Sequence, residues 1–162
     1  MGIRHQQYGF VALTLLALGS VGTAALAQAA NFASISLSTN QPTATVNGTT
    51  AGIFALSNIA MRDHQGLICT GFADTAPDHI LTLQDPMAQL TLQVNSGGDD
   101  TTLLMQGPND SLVHCGEDIS RRNPDAQIQA QDLPAGTYRL WVGSHNQGQR
   151  INYSLTVSPV SP

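Results

Sequence analysis

The chain has 162 residues, a formal net charge of −5, eleven acids of which ten are Asp, and six arginines with no lysine. So acidic a chain, without clustered cations, speaks against nucleic acid and against an anionic membrane surface as partners. Calcium and neutral polar partners stay open, and the length suits a single domain behind a leader.

Arg4 and His5 give a short polar start. Residues 10–18 form an apolar run broken only by Thr14, and Ala25-Leu26-Ala27 supplies the small-x-small pattern of a cleavage site. The expectation is a signal peptide over residues 1–27, cut after Ala27 or alternatively after Ala29, leaving a domain over residues 28–162. A permanent membrane anchor needs about 20 apolar residues, more than this run offers before Gly19, so no membrane span is expected after cleavage. No Cys follows the run, which gives no sign of a lipoprotein. The expected location is periplasmic or secreted.

The mature chain reads as strands. Ala33, Ile35 and Leu37 alternate with serines, a turn-rich stretch with Asn47-Gly48 fills residues 39–52, and residues 52–61 read as a buried strand with a short helix as the alternative. Residues 79–83 form a short strand. Residues 88–94 alternate most cleanly, with Ala88, Leu90, Leu92 and Val94 on one side and Gln89, Thr91 and Gln93 on the other. Residues 101–105 lead to a Gly107-Pro108-Asn109-Asp110 turn, and residues 111–115 lead out of it. Residues 126–131, 137–142 and 151–157 complete an all-β set of about eight or nine strands. With one wet face each, they fit an antiparallel β-sandwich, jelly-roll-like in its strand spacing.

Cys69 and Cys115 are the two cysteines. With no Cys-x-x-Cys pair and an oxidising compartment expected, they read as one disulfide closing about 45 residues, worth roughly 4 kcal/mol in the chain-entropy model.

Leu90-Thr91-Leu92-Gln93-Val94, Asp100-Thr101-Thr102-Leu103, Gly107-Pro108-Asn109-Asp110, Cys115-Gly116-Glu117-Asp118, Asn123-Pro124, Ala135-Gly136-Thr137-Tyr138 and the closing Tyr153-Ser154-Leu155-Thr156-Val157 come in one order. Over residues 85–157 this order resembles the bacterial pre-peptidase C-terminal domain, and stand-alone exported versions of it in particular. The resemblance implies a jelly-roll-like sandwich that accompanies secreted peptidases without doing their chemistry, and some relatives bind calcium. No peptidase is attached here, so the resemblance names no ligand.

No Gly-x-Ser-x-Gly elbow, His-Glu-x-x-His helix or phosphate-cradling glycine loop occurs, and His64, His79, His114 and His145 lack metal-ligand spacing. Catalytic residues are therefore not assigned. Two constellations remain. Asp100, Glu117 and Asp118 are acids expected at turns near the disulfide, a candidate set of oxygen ligands for calcium should those turns meet. Arg139 and Trp141 face outward if Tyr138, Leu140 and Val142 face the core. Flanked by Gln127, Gln129 and Asn152 they would form a platform for sugar rings or an extended peptide, the competing reading being a Trp141 covered by an N-terminal segment or stacked under Arg139.

The sequence thus points to a non-catalytic exported binding or envelope-associated module, engaging polysaccharide or protein and open to calcium stabilisation. The alternative is a structural or chaperone-like accessory to an exported partner, which an exposed apolar patch would distinguish. A small hydrolase would require a pocket with converging titratable groups.

Overall fold

A computed structural model describes residues 29–160 together with Met1 and Gly2. The leader expected over residues 1–27 lies outside the described residues, apart from those first two.

Eleven strands follow in chain order: β1 (Ile35–Leu37), β2 (Ala44–Thr49), β3 (Phe54–Ala55), β4 (Phe72–Ala73), β5 (His79–Leu83), β6 (Met87–Asn95), β7 (Thr101–Gln106), β8 (Val113–Ser120), β9 (Asn123–Leu133), β10 (Gly136–Ser144) and β11 (Asn152–Pro159). They run in the order β1-β5-β10-β7-β8-β9-β6-β11-β2, with β4 on the end of β10 and β3 on β4. The path folds into two layers because β8 belongs to both. Its first half pairs with β7, Leu104 opposite Cys115, and its second half pairs with β9, Glu117 opposite Gln127. Gly116 sits at the change of layer, where an added Cβ would lie 2.3 Å from the Gln127 carbonyl oxygen. A side chain there would push the layers apart. At the other end a turn closed by Ser38 and Gln41 carries the chain from β1 to β2, so the sandwich is nearly a closed barrel.

Period-two alternation builds the core. Leu90, Leu92 and Val94 of β6, Tyr138, Leu140 and Val142 of β10, and Tyr153, Leu155 and Val157 of β11 all point between the layers and are buried. Each such side chain contributes about 1.5–3 kcal/mol when fully removed from water. A second, smaller cluster lies outside the first layer: Leu104, Val113, Cys115 and Trp141 are covered by Leu56, Cys69 and Ala73. Residues 50–75 are thus a strap over the outer face of the first layer. The Cys69–Cys115 disulfide pins it, with Cα atoms 5.3 Å apart and a sequence separation of 46.

Several sequence expectations change. The stretch 39–52 is not all turn, since it contains β2. Its Asn47-Gly48 pair lies inside a strand, and Gly48 is required by packing: an added Cβ would fall 2.3 Å from the Tyr153 hydroxyl oxygen. Residues 52–61 are only briefly a strand, β3, followed by a 3-10 turn at Leu56–Asn58 whose Leu56 is buried. Glu117 and Asp118 stand in β8 and not in a turn. One strand pair, β1 with β5, is parallel, where an antiparallel sandwich was expected. Among the described residues no helix is long and apolar enough to cross a membrane.

Candidate functional site

The outer face of the second layer carries polar side chains and no charge at its centre. Asn47 of β2, Ser154 of β11 and Asn95 of β6 stand opposite one another in a single row. The neighbouring rows add Thr49 and Asn152 on one side, and Thr45, Thr156, Gln93 and Gln127 on the other. These residues face out because their neighbours Val94, Leu155 and Tyr153 face in, the period-two consequence of one buried face.

Side chains on this face are tied into a grid. The Thr45 and Thr156 hydroxyls are 2.9 Å apart, the Gln127 amide donates to Gln93 Oε1 at 3.2 Å, and the Gln129 amide donates to Gln127 Oε1 at 3.0 Å. Thr49 Oγ1 donates to Asn152 Oδ1 at 2.8 Å. Gln127, Gln129 and Asn152 lie on this outer face, where β6, and not β10, stands between β9 and β11.

At one end this face opens into a shallow, solvent-open depression of about 680 Å³, lined among others by Phe32, Asn47, Asn95, Asn152 and Ser154. Phe32 is 36% exposed, and its ring stands edge-on to Tyr153 at 6.5 Å between centroids. Backbone bonds from Asn31 N–H to the Pro77 carbonyl and from Phe32 N–H to the Asp78 carbonyl, both 2.9 Å, fix its place. The opposite lip is equally well fixed. The Asp125 carboxylate accepts from the Ser96 N–H at 2.8 Å, and Gly97 N–H donates to Asn95 Oδ1 at 3.2 Å, which leaves the Asn95 amide N–H groups to point elsewhere. Among the described residues, the wall of the depression holds no carboxylate, guanidinium or imidazole. Tyr153 is its titratable member, and burial pushes that phenol well above its ordinary range, so it stays neutral.

Arg139 and Trp141 lie elsewhere. They are on the outer face of the first layer, Trp141 opposite Leu104 of β7, and the strap covers Trp141 to 4% exposure. Its indole N–H points at the Thr75 carbonyl at 3.4 Å, and the Arg139 guanidinium lies 5.7 Å from the ring centroid. Arg139 also donates to Gln106 Oε1 at 2.8 Å and pairs with Asp110. The single platform expected from the sequence is therefore divided between two layers, because β10 sits between β5 and β7 and not beside β9 and β11. The covering segment is signalled in sequence by Leu56, Ile59 and Cys69, apolar residues with no strand of their own to serve.

The acids Asp100, Glu117 and Asp118 do come near one another. Partial desolvation raises the Glu117 pKa, a hydrogen bond from Thr70 opposes that, and the charges of Asp100 and Asp118 add to the rise. Among the described residues no group of three His, Cys, Asp or Glu is arranged to hold a metal ion.

A second cavity of about 370 Å³ lies where β8 leaves β9, lined in part by Asp63, His114, Gln127 and Gln129. His114 is buried with Nε2 lacking a partner, its ring edge-on to His64 at 4.2 Å. Asp63 Oδ1 accepts from the N–H groups of Gln65 and Leu67, both at 2.9 Å, so it serves the strap. Among the described residues, the lining of this cavity carries no side-chain hydroxyl or free thiol, Cys115 being in the disulfide.

No family model matches the chain, and no curated protein matches it. Among solved structures it is similar to the periplasmic inhibitor of g-type lysozyme PliG of Aeromonas hydrophila, with 18% identity over 80% of this chain and 98% of that one, at a TM-score of 0.43. It is also similar to the pre-peptidase C-terminal domain of a Bacillus anthracis collagenase, with 15% identity over 77% of this chain and 94% of that one, TM-score 0.38. A third is the surface-associated copper-binding protein CorA of Methylomicrobium album BG8, with 8% identity over 82% of this chain and 100% of that one, TM-score 0.44. At these identities and TM-scores the likenesses assign neither a family nor a ligand to this chain.

Proposed function

We propose that the chain is a non-catalytic exported binding module that takes a neutral polysaccharide along the amide- and hydroxyl-lined rows on the outer face of its second layer and into the open depression beside Phe32. The observation that carries this reading is the register row Asn47, Ser154, Asn95, which opens directly onto a depression with a half-exposed aromatic ring at its lip. Sugar hydroxyls both donate and accept, and side-chain amides and hydroxyls answer in both senses without a net charge. The apolar face of a sugar ring packs on an aromatic ring such as Phe32. An anionic ligand would find no cationic side chain among the described residues that line the depression.

Export is supported by the disulfide, a bond that persists in oxidising compartments, and by the leader read from the sequence. The binding surface sits on strands held by a core and a cross-link, so little ordering cost falls on the protein when ligand arrives. Native gel electrophoresis of the mature protein through immobilised neutral and acidic polysaccharides tests the reading. Retardation by a neutral polymer, lost in Phe32→Ala and Asn47→Ala, is expected. Retardation by acidic polymers alone, or none by any polymer, would refute it.

A further inference from the structure

We propose that the polymer is a straight β-1,4-linked ribbon that crosses the second layer at right angles to its strands, one sugar ring over each strand. This inference rests on the polysaccharide reading and adds the linkage, the direction and the length of chain that the site takes.

The depression is built across strands. Its lining comes from three neighbours in turn: residues 95–97 at and just beyond the end of β6, residues 152–154 of β11 and residues 47–49 of β2, with Phe32 at the lip. Neighbouring strands lie about 4.8 Å apart, whereas outward side chains along one strand recur only every ~6.7 Å. A β-1,4-linked pyranose chain advances by ~5 Å per ring, close to the strand spacing. Such a chain keeps step with the strands when it crosses them and loses step when it runs along one.

The side chains repeat with the period of the ribbon. Successive rings of a β-1,4 chain are turned over, so every second ring shows the same edge. Asn47 and Asn95 stand two strands apart in one register row with Ser154 between them, giving amide, hydroxyl, amide. Two like amides thus meet two like ring edges about 10 Å apart. An α-1,4 or β-1,3 chain turns steadily about its axis and offers a different edge to each strand.

The free hydrogen-bonding groups select the same row. In the next row Thr45 and Thr156 are bonded to each other at 2.9 Å, and the Gln127 amide donates to Gln93 at 3.2 Å. Among the described residues the Asn47 and Ser154 side chains make no hydrogen bond within the protein, and Asn95 commits only Oδ1, to the Gly97 N–H at 3.2 Å. Their remaining donors and acceptors are open to sugar hydroxyls.

The row is also bounded. β2 ends the strand path on one side. On the other, Asp125 is 5% exposed and accepts from the Ser96 N–H at 2.8 Å. Sheet twist turns each strand by about 20° from the last, so a straight chain leaves the surface after a few strands. The site therefore takes three or four rings.

Calorimetry of the oxidised mature protein with five soluble tetrasaccharides tests this: the β-1,4-linked cello-, N-acetylchito- and mannotetraose, β-1,3-linked laminaritetraose and α-1,4-linked maltotetraose. A β-1,4 member should bind at least ~10-fold more tightly than the last two. Within its series, affinity should rise to three or four rings and then level. Asn47→Ala and Asn95→Asp should each weaken binding about 5-fold or more, the latter keeping an acceptor for the Gly97 N–H, while Thr45→Ala leaves it unchanged. All three positions are exposed, and unchanged melting temperatures confirm that only the surface was altered. Laminari- or maltotetraose binding as tightly as every β-1,4 member would overturn the inference and leave the polysaccharide reading standing. So would affinity still rising at six rings, or a loss in Thr45→Ala with none in Asn95→Asp, which would lay the chain along β2. If none of the five binds a protein that neutral polymers retard, the inference alone falls; if neutral polymers fail as well, the polysaccharide reading falls with it.

Discussion

His79 Nε2 and the Tyr153 hydroxyl meet at 2.9 Å and join β5 of the first layer to β11 of the second. His79 Nδ1 lies 2.7 Å from the Ala33 carbonyl, which can only accept, so Nδ1 carries the proton and Nε2 accepts from the phenol. Burial lowers the pKa of His79 and raises that of Tyr153, keeping both neutral. Tyr153→Phe leaves the buried Nε2 without a donor and should cost about 1–3 kcal/mol, read as a lower urea midpoint at unchanged slope.

The disulfide closes a 46-residue separation between the strap and β8. Cys69→Ala with Cys115→Ala should lose roughly 4 kcal/mol by the chain-entropy argument, measured by urea unfolding beside the oxidised protein. Since both cysteines belong to the outer cluster over Trp141, the double variant should also make the tryptophan easier to quench with acrylamide.

Trp141 itself is structural in this account. Trp141→Ala should cost about 3–5 kcal/mol and leave polysaccharide binding intact in whatever fraction remains folded. In the wild-type protein, tryptophan emission should be blue-shifted and insensitive to added polysaccharide. Quenching or shifting of that emission by ligand would return Trp141 to the binding surface.

Acid should act through His114. Its pKa is lowered to about 4, first by burial and then by the charge of His64, with Asp63 opposing. The unfolded chain takes up this proton near pH 6.5 and the folded chain only near 4, so stability falls as pH drops through that window, by about 3 kcal/mol. Asp78 works in the opposite sense. Burial raises its pKa to about 6, so the folded state binds a proton before the unfolded one does and gains stability as pH falls from 6 towards 3.8. His79 adds to the loss on acidification and Glu117 opposes it, so the comparison is made against the wild type: on going from pH 7 to 4 the urea midpoint should shift upwards relative to wild type for His114→Phe and downwards for Asp78→Asn.

Glu117 is crowded by Asp100 and Asp118. With divalent cations removed by chelator, Glu117→Gln should raise the melting temperature slightly, since a like-charge contact disappears. If calcium instead organises these acids, millimolar calcium will raise the wild-type melting temperature and Asp118→Ala will abolish the rise.

Much of the fold was legible because a strand with one wet face writes itself in alternation. Leu90, Leu92 and Val94, or Tyr138, Leu140 and Val142, can be assigned to the core without any coordinates. The edge strand β2 escaped detection because it has one partner and a glycine demanded by the distant Tyr153, so Asn47-Gly48 imitated a turn. The polar partners Gln127, Gln129 and Asn152 were readable as outward residues on strands. Their separation from Arg139 and Trp141 was not, because strand order is set by long-range pairing that alternation leaves free. A cover over Trp141, by an N-terminal segment or by Arg139, was among the readings the sequence allowed; which segment supplies it was not legible, because Leu56 and Cys69 look merely apolar until the disulfide and β10 give them something to cover.

The central claim is best tested by backbone-amide NMR of the oxidised mature protein during titration with a soluble neutral oligosaccharide drawn from the polymer that retards it. The account predicts saturable shifts confined to Phe32, Asn47, Asn95, Asn152 and Ser154 and their register neighbours. Shifts that gather instead on residues 61–69 or around Arg139, or that fail to saturate anywhere, would contradict it.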